Sequence, residues 1–153
     1  MTSTDETQTL SGIEMSDDEI DQFLTEQGHG TLSLADDGAA YGVPISFGYD
    51  GELLYMSLLE FGDESMKGAF LETTSTACLT TYDVTTRFDW KSVIVRGEIR
   101  DVSDDDVEYM DGVLDENAWF PTIFPPSDPM TGVHHISLVP EERSGRKGQA
   151  YQQ

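Results

Sequence analysis

Between Tyr41 and Gly48 the chain alternates without a break. Tyr41, Val43, Ile45 and Phe47 are bulky and apolar, while Gly42, Pro44, Ser46 and Gly48 are small. Successive side chains of a strand leave on opposite faces, so this pattern dictates a strand with one face for a core and one nearly bare. Asp50-Gly51 follows as a tight-turn signal, and residues 53–59 return as a second apolar strand. Ser65, Met66 and Lys67 then open a short helix, capped by Ser65, in which Phe70 and Leu71 pack inward. Lys67 is the first basic residue of the chain, after fifteen acidic ones.

The same periodicity organises the rest. Residues 1–14 are polar and aperiodic and read as a disordered tail. Ser16 with Glu19 forms a capping-box signature for a helix that carries Ile20, Phe23 and Leu24 on one face and ends at Gly28. Leu32 and Leu34 mark a strand over 30–35, and Asp36-Asp37-Gly38 turns it into the strand of Tyr41. Further strands are expected over 76–82, 90–102 and 133–139, with a bulge or sharp bend at Gly97. Ser103 and the acids behind it start a second helix, which runs to about Glu116 on Val107, Met110, Val113 and Leu114. The segment from Asn117 to Met130 is rich in proline and aromatics and reads as an ordered loop, and the residues after Glu141 as a polar tail. Six strands joined by hairpins and interrupted by helices predict a mainly β (α+β) domain over 15–141, built as a small antiparallel barrel with flanking helices.

At 153 residues such a domain buries roughly 70% of its unfolded surface and needs no staples. The lone Cys78, in an apolar run, reads as a buried small side chain in a reducing interior. No stretch reaches the ~20 apolar residues of a membrane span, and no leader pattern opens the chain, so a cytoplasmic protein is expected. Thirty acidic residues face eight basic ones, a net charge of -22 spread along the chain. That charge disfavours nucleic acid as a partner and calls for strong screening. The composition is similar to that of halophilic archaeal proteins.

The sequence lacks the CxxC, HExxH, GxSxG and phosphate-loop signatures. His134 and His135 are neighbours on one strand and point to opposite faces, which argues against a shared metal, and no metal is expected. The start of the helix at Ser65 is different, because free N–H groups, the helix dipole and Lys67 converge there as an anion requires. A capped helix with Lys67 paired to Asp63 or Glu64 is the equal alternative. Arg87, Lys91, Arg96 and Arg100 form a second cluster, half of all basic residues, beside Phe88, Trp90 and Ser92. Surface pairing accounts for Arg96 and Arg100, which leaves Lys91 and Ser92 as ligand candidates.

On the stretches GTLSLADDGAAYGVPISFGYDGELLYMS, SMK and WKSVIVRGEI, in that order and spacing, the chain resembles the split-barrel flavoproteins related to pyridoxamine 5'-phosphate oxidase. The nitroimidazole-resistance reductases are among them. The resemblance spans about 16–140 and implies an antiparallel six-stranded split β-barrel that binds FMN as an oxidoreductase. By this likeness Val43, Pro44, Ile45 and Ser46 border the isoalloxazine, Met56 and Ser57 line the next strand, and Ser65, Lys67, Lys91 and Ser92 hold the phosphate. It also implies a homodimer with flavin at the interface and a small-molecule substrate. In that dimer Trp90, or the loop of Trp119, Phe120 and Phe124, covers the partner's ring, and a core plug is the equal alternative for the loop. The chain ends in SGRKGQAYQQ, without the arginine and histidine motif of true pyridoxamine phosphate oxidases. Ser57 stands where nitroimidazole-resistance relatives often carry histidine. A deazaflavin or haem in the same barrel, and a flavin carrier without turnover, are the competing readings; no catalytic side chain is singled out.

Overall fold

The structure, a computed structural model, describes residues 12–60, 71, 74–117 and 132–151. Six antiparallel strands close into a barrel in the order β7-β4-β3-β2-β5-β6 and back to β7. These are β2 (His29–Asp36), β3 (Ala39–Tyr49), β4 (Leu54–Glu60), β5 (Ala77–Val84), β6 (Trp90–Asp101) and β7 (Gly132–Lys147). A two-residue strand, β1 (Ile13–Glu14), pairs with the end of β7. The expected barrel is therefore the fold, and none of the helices of the described residues is long and apolar enough to cross a membrane.

The alternation seen in the sequence selects the inner face. Val43, Ile45, Phe47, Leu54, Met56, Val93, Val95, Ile136 and Leu138 share one buried core. The helix α1 (Asp17–Gln27) adds Ile20, Phe23 and Leu24 to that core. It begins with the reciprocal capping box of Ser16 and Glu19 and ends at Gly28 in the left-handed region, as its sequence predicts. The helix α2 (Val107–Asn117) is preceded by a 3-10 turn at Asp104–Asp106 and lies on the outside of the barrel. There Met110 and Val113 pack with Tyr55, and a Cβ on Gly48 would stand only 2.8 Å from the Val113 carbonyl oxygen. Leu71, at the edge of the segment 61–70 that is not described, is helical and packs against the core.

Gly97 marks the bend anticipated for it. The register of β6 against β7 shifts between Arg96 and Gly97, so that Arg96 faces Glu142 and Gly97 faces Pro140. Glu141 is the extra residue of this bulge.

Both ends of the domain need correction. The last strand does not stop at Val139, and residues 142–147 are not a tail: β7 continues to Lys147 and pairs with β6 over that whole length. Its inward positions there carry no apolar pattern because the partners are polar or space is short. Arg143 reaches Asp21 and Lys147 reaches Glu19, both on α1, while Gly145 leaves room for Ile20 and Met15. Gly12 to Met15 likewise belong to the fold, with Met15 buried and its N–H donating to the Gly145 carbonyl.

Candidate functional site: a split in the barrel wall

Among the described residues β3 and β4 share only three ladder pairs, Phe47 with Met56, Gly48 with Tyr55 and Tyr49 with Leu54. The turn that sets this short ladder is rigid. Asp50 accepts the N–H groups of Glu52 and Leu53, both at 2.8 Å, and Gly51 takes φ +99°. Beyond Phe47 and Met56 the strands part: β3 continues against β2, and β4 continues against β7. The barrel wall is split at Ser46 and Ser57.

The outer face of β3 at this split is flat and small. A Cβ on Gly42 would touch only the Thr31 methyl at 3.5 Å, Pro44 is exposed, and half-buried Ser46 donates to the Gly28 carbonyl at 3.3 Å. The predicted site residues consequently divide by face. Pro44, Ser46 and Ser57 lie on the outside, whereas the side chains of Val43, Ile45 and Met56 are 7%, 4% and 0% exposed in the barrel core. Those three can border an external ligand only through their backbone.

Across the split the outer face reads His29, Ser46, Ser57 and His135, on β2, β3, β4 and β7. His29 is register partner of Ser46, and Ser57 of His135. The Ser57 hydroxyl and His135 Nδ1 are 3.2 Å apart. His134, one residue earlier and opposite Leu58, projects from the other face of the sheet, as the spacing predicts.

The second predicted cluster is not a single surface. Lys91 and Ser92 are consecutive on β6, so their side chains leave on opposite faces. Lys91 shares its side with Val93 and stands between Asp83 and Lys147, whereas Ser92 stands on the outer face between Tyr82 and Arg146. Trp90 is half-buried, its ring against Gly12 and its Nε1 beside Gly148. Counted through β2 and β5, Ser92 is three strands from Ser46, roughly 14 Å at about 4.8 Å per strand, a distance that calls for an extended ligand. Ser65 and Lys67, with the loop of Trp119, Phe120 and Phe124, lie outside the described residues.

Electrostatics separates the basic residues. Arg96 pairs with Glu142 at 3.7 Å, Arg100 with Glu98 at 3.3 Å, and Arg87 sits 5.5 Å from the Phe88 ring centre. Arg143 and Lys147 hold α1. Arg146, exposed beside Ser92, makes no ion pair with a described residue. It escaped sequence reading because it lay in the segment taken for a tail. His135 was missed for a different reason: its link to Ser57 is a cross-strand register, 78 residues apart, that no local motif records.

A planar ring fits the flat face of Gly42, Pro44 and Ser46, and an anionic end fits Ser92 with Arg146. Residues 16–147 match the protein family described as pyridoxamine 5'-phosphate oxidase. The chain belongs to the pyridoxamine 5'-phosphate oxidase family. No curated protein matches it. Among solved structures, the FAD-binding protein of Mesorhizobium loti superposes with a TM-score of 0.70 at 22% identity, over 88% of this chain and 96% of that one. The FAD-binding protein of Mycobacterium smegmatis has a TM-score of 0.66 at 16% identity, over 89% and 98%. A FAD- and haem-binding protein of the same organism has 0.66 at 18%, over 88% and 72%. At these identities the likeness is one of fold, and it agrees with the split barrel of this pyridoxamine 5'-phosphate oxidase family member.

Proposed function

We propose that this chain binds a flavin nucleotide against the outer face of β3 and β4 and works as an oxidoreductase on a small-molecule substrate. The observation that carries the reading is the split itself, a wall opened beside a bare, flat strand face in a protein of this family. A bound flavin supplies the electron or hydride transfer. The chain's own residues have narrower tasks. Gly42 and Pro44 give the ring a surface without side-chain obstruction, Ser46 and Ser57 supply hydroxyls at the split, and backbone N–H and C=O groups of Val43, Ile45 and Met56 border it. Ser65 and Lys67, with Ser92, are the proposed phosphate holders, and Arg146 joins Ser92. Lys91, on the opposite face of β6, is left out of this set.

FMN is the flavin proposed, as the smallest molecule that spans ring face and phosphate cluster. The named FAD binders among the similar folds support FAD as second reading, and the FAD- and haem-binding protein supports haem as a third. A homodimer with the flavin between two copies and a salt-loaded cytoplasm belong to the same proposal; the net charge of -22 supports the latter.

The test is the visible spectrum of the protein purified in high salt, followed by titration with FMN, FAD and haem. Uptake of FMN with reduction by NADH or NADPH is expected. A colourless protein that takes up no flavin refutes the reading, and flavin that is bound but never reduced makes the chain a carrier. Lys67→Ala is expected to weaken FMN far more than riboflavin, and equal loss of both overturns the phosphate assignment.

A further inference from the structure

We infer that His135 is the proton donor of this site, with Ser57 as its positioning residue, for planar acceptors of the quinone class. The inference rests on the flavin reading and adds a residue and a substrate chemistry to it. Four side chains face outward at the level of the split, and three are unsuited to the task. The hydroxyls of Ser46 and Ser57 do not titrate near neutral pH. His29 has Nε2 3.3 Å from the Gln27 side-chain nitrogen, which also donates to the Tyr82 carbonyl at 2.9 Å, so its ring is held within the wall. His135 differs. Its Nδ1 faces the Ser57 hydroxyl at 3.2 Å, and its Nε2 makes no hydrogen bond among the described residues. An imidazole fixed through one nitrogen and open at the other is the arrangement a proton donor requires.

The chemistry asks for such a group. A quinone that gains two electrons from flavin, itself reduced by a nicotinamide nucleotide, accepts a hydride and then one proton. A hydride released by reduced flavin, which would return to its oxidised form, would bond at one end of the conjugated system, the electron pair would move to the far oxygen, and that oxygen would take the proton from His135 Nε2. Water returns a proton to the imidazole, and the nicotinamide leaves oxidised. With the flat face of Gly42 and Pro44 taken by the flavin ring, an acceptor would stack on the ring itself, which a planar molecule does and a branched one does not. On the strands that flank His135, the titratable and charged groups are Tyr55 on β4 and Arg100 and Asp101 on β6. Arg100 is already paired with Glu98.

The experiment uses the full chain loaded with flavin and reduced, with p-benzoquinone as acceptor. Wild-type reoxidation is expected to slow as pH rises, and His135→Gln to lower the rate at pH ~6 by roughly 100-fold and flatten the profile. Flavin affinity should stay within about twofold, since the variant removes no contact to the phosphate cluster. Ser57→Ala, which keeps the imidazole but releases its ring, should lower the rate by less than His135→Gln and leave the profile pH-dependent. Independently of activity, the His135 ring resonances of the wild-type protein should shift when flavin binds. A His135→Gln profile that matches the wild type with flavin bound, or ring resonances unmoved by flavin, overturns the role. If His135→Gln does not fold, Ser57→Ala and the resonances decide. A wild-type protein that takes up no flavin removes the flavin reading, and this role with it, before any variant is made.

Discussion

Arg143 and Asp21 meet across the end of the barrel, Nη1 to Oδ1 at 2.5 Å, although 122 residues separate them. The Tyr49 hydroxyl donates to the same carboxylate oxygen at 2.6 Å and accepts from Arg143 at 3.0 Å. Lys147 and Glu19 make a similar contact two residues earlier on α1. A helix with no basic residue in its last turn is thus held by cations borrowed from β7.

Arg143→Met should lower stability by about 1–2 kcal/mol, the range for a partly buried, charge-assisted contact discounted for solvent screening. The pH dependence follows from the same contacts. The Arg143 hydrogen bond holds the Asp21 carboxyl below its ordinary range, and Lys147 does the same for Glu19. Depressed carboxyl pKa values stabilise the fold above about pH 4 and lose that contribution as pH falls through the lowered values. Thermal melts between about pH 5 and 2 should therefore decline less steeply in Arg143→Met than in the wild type.

Tyr49 carries the opposite sign. Burial first, and then the hydrogen bond to Asp21, push its phenol up to about 12. The neutral phenol is favoured in the fold, so its contribution is complete below about pH 10 and is lost as pH climbs toward the raised value. Native phenolate absorbance should show a component titrating near 12 that Tyr49 shares with Tyr109, and Tyr49→Phe should remove one phenol from it.

Two glycine substitutions should part in direction. A Cβ on Gly97 would stand 1.7 Å from the Val139 carbonyl oxygen, so Gly97→Ala should cost about 3 kcal/mol or more, because backbone must move at the bulge. Gly112 has nothing within 4 Å and sits inside α2. Gly112→Ala should stabilise by up to about 1 kcal/mol through helix propensity. Denaturant melts of the two variants make the comparison.

Salt should raise the melting temperature. Going from about 0.1 M to 1 M shortens the screening length from ~10 Å to ~3 Å, which weakens the few ion pairs but also the repulsion of a net charge of -22. The unbalanced charge dominates, so a melt independent of salt would contradict this account.

The barrel was legible in the chain because its inward positions from Leu32 to Val95 obey period two and its turns carry Asp-Gly signals. The helix α1 was legible through its capping box and apolar stripe, and α2 through its stripe alone, since Ser103 makes no side-chain cap and a 3-10 turn comes first. The far half of β7 was not, since Arg143 and Lys147 occupy inward positions and are satisfied by acids on α1, a pairing that only the fold creates. The site was legible in its flat face, Gly42, Pro44 and Ser46. Val43, Ile45 and Met56 were grouped with it by the family resemblance, although the alternation already put Val43 and Ile45 on the core face, and His135 was left out because register between β4 and β7 is a tertiary fact.

The uneven stitching of the barrel has a mechanical consequence. Strands β6 and β7 are joined by eleven register pairs, β3 and β4 by three. The wall has two short seams of three register pairs each, β2–β5 and β3–β4, and the second adjoins Ser46 and Ser57. The seam beside Ser46 and Ser57 therefore has few backbone hydrogen bonds to resist opening, while the long β6–β7 join is the best-stitched part of the wall.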